Sequence, residues 1–127
     1  MEAIPYRSAI GSLMYLAVCT RPDIAAAIST LSRFNDNPGW AHWEGVQHVL
    51  RYLQGTNGEG LCYRKGVSTH LWGYCDASHL TCPDTGRSRA GFVFMAAGGA
   101  IRWQSKVVGN ASLNSYESEY MALAMAG

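Results

Sequence analysis

Hydrophobic spacing changes once along this chain, near Gly55, and that change limits the folds open to it. Before it, apolar residues recur every three or four positions, the repeat of a helix with one buried face. After it, Gly55, Gly58, Gly60 and Gly66 break the chain into short aromatic-rich segments, a pattern of turns between strands. Residues 8–19 carry Ile10, Leu13, Met14 and Ala17 at helical spacing, with Gly11 weakening the first turn. Thr20-Arg21-Pro22-Asp23 predicts a helix start. Thr20 or Arg21 caps it, the proline fits the first turn, and the carboxylate suits the positive end of the dipole. That second helix presents Ile24, Ala27, Ile28, Leu31 and Phe34 on one face and stops in Asn35-Asp36-Asn37-Pro38-Gly39. A third, over about 40–54, carries Trp43, Val46, Val49, Leu50 and Leu53, and Gly55 closes it.

In the second half, residues 61–63, 71–75, 91–95 and 100–105 read as strands, and Gly98-Gly99 as a hairpin turn. Residues 81–89, with Pro83, Asp84 and Gly86, form a polar loop. Residues 116–126 read as a helix capped by Ser115, with Tyr120, Leu123 and Ala124 on one face. The predicted class is α+β or α/β. A helical segment occupies residues 1–56, a linker or strand 57–70, and a sheet of three antiparallel strands with its first helix 71–127. Such a sheet buries only a modest core by itself. A domain cut short at its C-terminal side is therefore expected.

Charged residues make up only 15% of the 127, against roughly 25% in an average soluble domain. Extensive disorder is excluded on that ground. No stretch approaches the roughly 18 apolar residues of a membrane span. The opening Met1-Glu2-Ala3-Ile4-Pro5 has neither a basic nor an apolar stretch, so no secretory signal is expected. An intracellular setting follows, and with it reduced thiols at Cys19, Cys62, Cys75 and Cys82. A formal charge of +1 and a pI near 7.7 provide no general attraction for nucleic acid. Any such contact must come from local placement, for which eight arginines among the ten basic residues are suited.

Asp76 follows the predicted strand 71–75, where a carboxylate is held rigidly while facing solvent. Glu117 and Glu119 open the last helix, and a spacing of two puts their side chains roughly 200° apart. Glu119 shares the inward arc with Leu123, and Glu117 points outward. A strand carboxylate and a helix carboxylate converging over a sheet can hold divalent cations through oxygen ligands. Two such ions activate a water and stabilise a leaving oxygen in phosphodiester cleavage. The plainer reading stands beside it: Asp after a strand begins a turn, and Glu in a first helical turn serves the dipole. Cys75, His79 and Cys82 fall short of a zinc set. His42 and His48 read as surface residues, Trp40, Trp43 and Tyr52 as core, and Arg51, Arg64, Arg87, Arg89 and Arg102 as solvated surface. No Ser/His/Asp arrangement suggests a nucleophile.

Several blocks in order resemble the Pol polyprotein of copia-type retrotransposons. They include Thr20-Arg21-Pro22-Asp23-Ile24, Leu50-Arg51-Tyr52-Leu53-Gln54-Gly55-Thr56 and Gly73-Tyr74-Cys75-Asp76-Ala77. Gly91-Phe92-Val93-Phe94, Ile101-Arg102-Trp103-Gln104-Ser105-Lys106 and Ser115-Tyr116-Glu117-Ser118-Glu119-Tyr120-Met121-Ala122-Leu123 continue the match. The resemblance implies that residues 5–55 end a reverse-transcriptase region, its helical thumb and connection. Residues from about Leu71 would open an RNase H domain, which cleaves the RNA strand of an RNA–DNA hybrid with two Mg²⁺ ions. By motif position Asp76 and Glu119 are the implied catalytic, metal-binding carboxylates, and Glu117 is not a ligand. Two further acidic positions of the family lie beyond this chain, so an incomplete site is implied and the 127 residues alone are expected to be inactive. Ala77-Ser78-His79-Leu80 departs from the family's acidic and Trp-bearing stretch, and Asn114 and Tyr116 stand where Ser and Thr are usual. The implied partners are RNA–DNA hybrid and the remainder of Pol, in the cytoplasm within a virus-like particle, or the nucleus. The competing reading is a catalytically dead pseudogene product or a host-domesticated binding or scaffolding fragment.

Overall fold

The computed structural model describes residues 4–78, 87–108, 119 and 123–126. The chain divides into two compact units, Met1–Leu61 and Cys62–Gly127. Helices in the first and an antiparallel sheet in the second make the fold α+β.

In the first unit, α1 spans Tyr6–Cys19, α2 Ala25–Leu31 and α3 Trp40–Gly55, with single 3₁₀ turns at Pro22–Ile24 and Ser32–Phe34. Tyr6, Ile10, Leu13 and Ala17 bury one side of α1, at the three- and four-residue spacing of a helix face. They meet Ile24, Ile28, Val46 and Val49 in one cluster, flanked by Leu31, Trp43 and Leu53. The Tyr6 hydroxyl donates to the Leu31 carbonyl at 2.8 Å, so its polar tip is satisfied inside an otherwise apolar contact. Helix α3 begins without a Ser, Thr, Asp or Asn cap. Instead His42 Nδ1 accepts from the Gly39 N–H at 2.8 Å, and its ring stacks on Phe34 at 3.9 Å. His42 is therefore a half-buried capping residue rather than a surface one. Trp40 is 65% exposed and Tyr52 43% exposed, so of the aromatic residues assigned to the core only Trp43 packs against it.

The Thr20-Arg21-Pro22-Asp23 signal does start helical structure, but as a 3₁₀ turn without a side-chain cap bond. Arg21 and Asp23 instead form an ion pair at 2.7 Å, and Arg21 also donates to the Thr56 hydroxyl at 2.6 Å. The Tyr52 hydroxyl donates to Asp23 Oδ2 at 2.9 Å. This network ties the end of α3 to the junction after α1. The Arg21 hydrogen bond, joined by that of Tyr52 and opposed by desolvation, holds the Asp23 carboxyl below the usual carboxylate range. Donation to Asp23 is also the main cause that pushes the Tyr52 hydroxyl up. A depressed carboxyl contributes stability that is present above its unfolded pKa and lost as pH falls through the folded one. A raised phenol contributes stability that is present below its unfolded pKa and lost as pH rises through the folded one. The thermal midpoint of this unit is thus expected to fall below about pH 4 and again above about pH 10. Tyr52→Phe should reduce both falls, the buried Tyr6 hydroxyl, which burial also pushes up, keeping part of the alkaline one. Melting curves across pH that superimpose for the two proteins would show that the network contributes nothing.

In the second unit, β1 (Trp72–Ser78), β2 (Arg89–Ala96) and β3 (Gly99–Val107) form a three-stranded antiparallel sheet in the order β1-β2-β3. Residues 61–63, expected as a strand, form none. The chain just after them is tied to the hairpin turn instead: Arg64 N–H donates to the Ala97 carbonyl at 2.9 Å, and Ala97 N–H to the Ser68 carbonyl at 3.3 Å. The Tyr63 hydroxyl adds a bond to the Ala100 carbonyl at 2.6 Å. The hairpin turn is Ala97-Gly98, one residue earlier than expected, with φ of 52° and 84°. Two positive φ values are the geometry that matches a two-residue connection to the strand twist. Ala97 adopts it against its intrinsic preference while both its backbone groups are engaged.

Candidate functional site

Strand β1 continues through Ser78, so Asp76 lies inside the strand, paired with Gly91, rather than just after its end. The turn-forming reading of this aspartate is thereby overturned. Alternation puts Trp72, Tyr74, Asp76 and Ser78 on one face of the sheet. Pairing extends that face across β2 through Val93, Gly91 and Arg89, and across β3 through Trp103, Ser105 and Val107. An open depression of about 310 Å³ lies there, lined by Tyr74, Asp76, Ser78, Arg89, Gly91 and Ser105 among others. Gly91 lacks a side chain and forms its floor. Cys75 and Ala77 fall on the opposite face with the buried Ala90 and Phe92.

The Asp76 carboxylate is exposed, and its Oδ1 accepts from the Ala77 N–H at 2.9 Å. That bond fixes its orientation while leaving it open to solvent. Arg89 projects from the first position of β2, and its Nη1 donates to the Ser105 hydroxyl at 3.3 Å. Glu119 is helical and exposed, and Leu123, expected beside it on an inward arc, is 55% exposed. Glu117, Tyr120, His79 and Cys82 lie outside the described residues. Among the described residues, no group of three or more His, Cys, Asp and Glu side chains could hold a metal ion. Asp76 and Glu119 thus enter no such cluster. Their chemistry nevertheless suits Mg²⁺, a hard cation that binds through one or two carboxylates with water and substrate phosphates completing its shell. The described cysteines Cys19, Cys62 and Cys75 are free thiols.

In the sequence Arg89 is indistinguishable from the solvated arginines, and nothing marks Ser105 or Tyr74 as part of the site. The signal that places them is strand alternation counted outward from Asp76, which becomes usable only once the strand register is known. A second, smaller depression of about 200 Å³ lies in the helical unit, beside Thr20, Arg21, Asp23, Tyr52 and Glu59. Arg21 and Asp23 there pair with each other, and Tyr52 donates to Asp23, so these three groups tie the helical unit together. Among the described residues, no helix is long and apolar enough to cross a membrane.

No family model matches the chain, and no solved structure matches it. Among curated proteins it is 49% identical, over its whole length, to the retrovirus-related Pol polyprotein from transposon TNT 1-94 of Nicotiana tabacum, of which it spans 10%. It is 44% identical to secreted RxLR effector protein 161 of Plasmopara viticola, covering 99% of this chain and 89% of that one. A putative transposon Ty5-1 protein of Saccharomyces cerevisiae is 42% identical over 94% of this chain and 39% of its own length. The likeness runs through both units, and the chain belongs to the family of retrovirus-related Pol polyproteins of copia-type transposons.

Proposed function

We propose that the chain carries the junction of reverse transcriptase and RNase H in such a polyprotein, with residues 5–55 ending the former and the sheet opening the latter. The observation that carries this reading is the placement of Asp76. An exposed, backbone-oriented carboxylate stands inside a strand of an antiparallel sheet, over an open depression lined by an arginine and hydroxyls. Its position in the Gly73-Tyr74-Cys75-Asp76-Ala77 block supports the same assignment. The substrate is the RNA strand of an RNA–DNA hybrid, selected by backbone shape and 2′-hydroxyls rather than by base sequence. Asp76 and Glu119 present carboxylate oxygens as metal ligands, at a separation of roughly 4–8 Å set by ion spacing and ligand lengths. Bound Mg²⁺ supplies water activation and stabilisation of the leaving oxygen. The rigid strand holds one ligand, and Ala77 N–H keeps its oxygen aimed.

Two carboxylates hold ions loosely, so the 127 residues alone are expected to cut no hybrid in millimolar Mg²⁺. Within a longer Pol protein that supplies two further acidic positions, cleavage is expected, and Asp76→Asn or Glu119→Gln should abolish it. Cleavage by that longer protein that persists in Asp76→Asn would overturn the assignment.

A further inference from the structure

The strands of the sheet carry four charged residues, Asp76, Arg89, Arg102 and Lys106. The register divides them unequally between the faces. Arg102 and Lys106 pair with Phe94 and Ala90, so they lie on the face opposite Asp76, where the Arg102 guanidinium stands 5.9 Å from the centre of the Phe92 ring. Among the described residues Arg89 is the one strand cation on the Asp76 face. It stands opposite Ser78, two residues along β2 from the Gly91 that faces Asp76, which makes it a diagonal neighbour of that carboxylate.

A phosphodiester that approaches Asp76 meets a like charge, and the field there favours approach only if a cation stands beside it. Arg89 meets that need with a planar guanidinium, the donor geometry that fits phosphate oxygens. Its half-buried side chain is steered by the Ser105 hydroxyl, which reduces the entropy lost when it takes a ligand. Gly91 between them lets a backbone come close to the sheet, and the Ser78 and Ser105 hydroxyls line the same depression. We propose that Arg89, steered by Ser105, seats a backbone phosphate of a nucleic-acid strand, next to the phosphodiester that faces Asp76. This deepens the proposed function and rests on it for the identity of the strand.

Binding of a fluorescently labelled RNA–DNA hybrid to the whole 127-residue chain, followed by anisotropy in EDTA, tests the seat without requiring cleavage. With a net charge of only +1, wild-type binding should be modest and should weaken steeply between about 50 and 200 mM salt. Arg89→Gln is expected to bind roughly tenfold more weakly at low salt. It should also lower the slope of log affinity against log salt by about one, whatever the base sequence. Arg89→Lys keeps the charge and should keep the slope while losing part of the affinity. Ser105→Ala leaves the cation in place and removes one of the bonds that orient it, and should weaken binding roughly twofold to threefold with the slope unchanged. Wild-type binding that Arg89→Gln leaves unaltered in affinity and slope would overturn the seat while leaving the RNase H reading intact. Should Arg89→Gln fail to fold, Arg89→Lys and Ser105→Ala that both bind like wild type would overturn it equally. A wild-type chain that binds no hybrid at any salt concentration would overturn the seat, whereas the longer protein's Asp76-dependent cleavage decides the RNase H reading separately.

Discussion

Ile28→Ala is expected to bring the helical unit close to its unfolding midpoint at ordinary temperature. Ile28 is fully buried, between α1 and α3 residues that include Ile10, Leu13, Val46 and Val49. Removing its side chain beyond Cβ forfeits the transfer free energy of those carbons and leaves a cavity, together about 2–5 kcal/mol. A single core in a unit of this size rarely supplies more than about 3–5 kcal/mol. Ile28→Val keeps most of the volume and should cost only about 0.5–1.5 kcal/mol. Ala27, which its spacing places on the same face but which the structure leaves exposed, should tolerate Ser within about 0.5 kcal/mol. Urea titration followed by helical circular dichroism reads all three. Equal losses at positions 27 and 28 would show that the buried face of α2 has been misassigned.

Gly73→Ala is expected to displace β1 from the sheet and carry Asp76 with it. A β-carbon at this position would stand 2.5 Å from the Val93 carbonyl oxygen and 2.6 Å from a ring carbon of Phe94. The ring can turn aside, but the carbonyl belongs to the backbone of β2. The two strands must therefore separate locally, at a cost of about 1–3 kcal/mol. Val at this position should be worse than Ala, since its branches add to the same collision. Phe94→Leu should rescue Gly73→Ala only in part, because the clash with the carbonyl remains. Amide exchange across residues 72–78 is the direct measurement. Protection unchanged in Gly73→Ala would mean that the strands accommodate a side chain at no cost.

The helices were legible because their apolar spacing records a buried face directly, and Ile10, Leu13, Ala17, Ile24, Ile28, Val46 and Val49 are all buried as their periodicity implies. What periodicity does not record is partnership across distance. Asp23 looks like a residue serving a helix dipole, and nothing nearby in sequence announces Tyr52, 29 positions away, as its hydrogen-bond donor. His42 gives no sign of being a cap because glycine, not serine, precedes α3. Trp40, Leu50 and Tyr52 show the reverse failure, since large apolar side chains on a short three-helix unit outnumber the inward positions.

In the sheet, the strands were recognisable but their ends were not. Residues 61–63 have strand composition yet form no strand, and the Asp76-Ala77-Ser78 end of β1 is as polar as a loop. Asp76 was identified through its motif, while its placement within a strand and opposite Gly91 emerged only with the pairing. Arg89 could not be told from the other arginines until the register divided the two faces.

Strand β1 has one further property. Among the described residues it pairs only with β2, and Trp72-Gly73-Tyr74-Cys75-Asp76-Ala77-Ser78 holds a single charge. Edge strands resist adding a foreign strand chiefly through such charges, and β3 at the opposite edge has two, Arg102 and Lys106. Where β1 is unpaired on its other side, Asp76 is the one charge along it that opposes addition of a foreign strand, besides being a candidate ligand. Its neutralisation to Asn removes both at once, so the soluble fraction and light scattering of that variant have to be matched before a loss of cleavage is attributed to chemistry. Asp76→Glu, which keeps the charge but moves the carboxylate outward by one methylene, separates colloidal from catalytic loss.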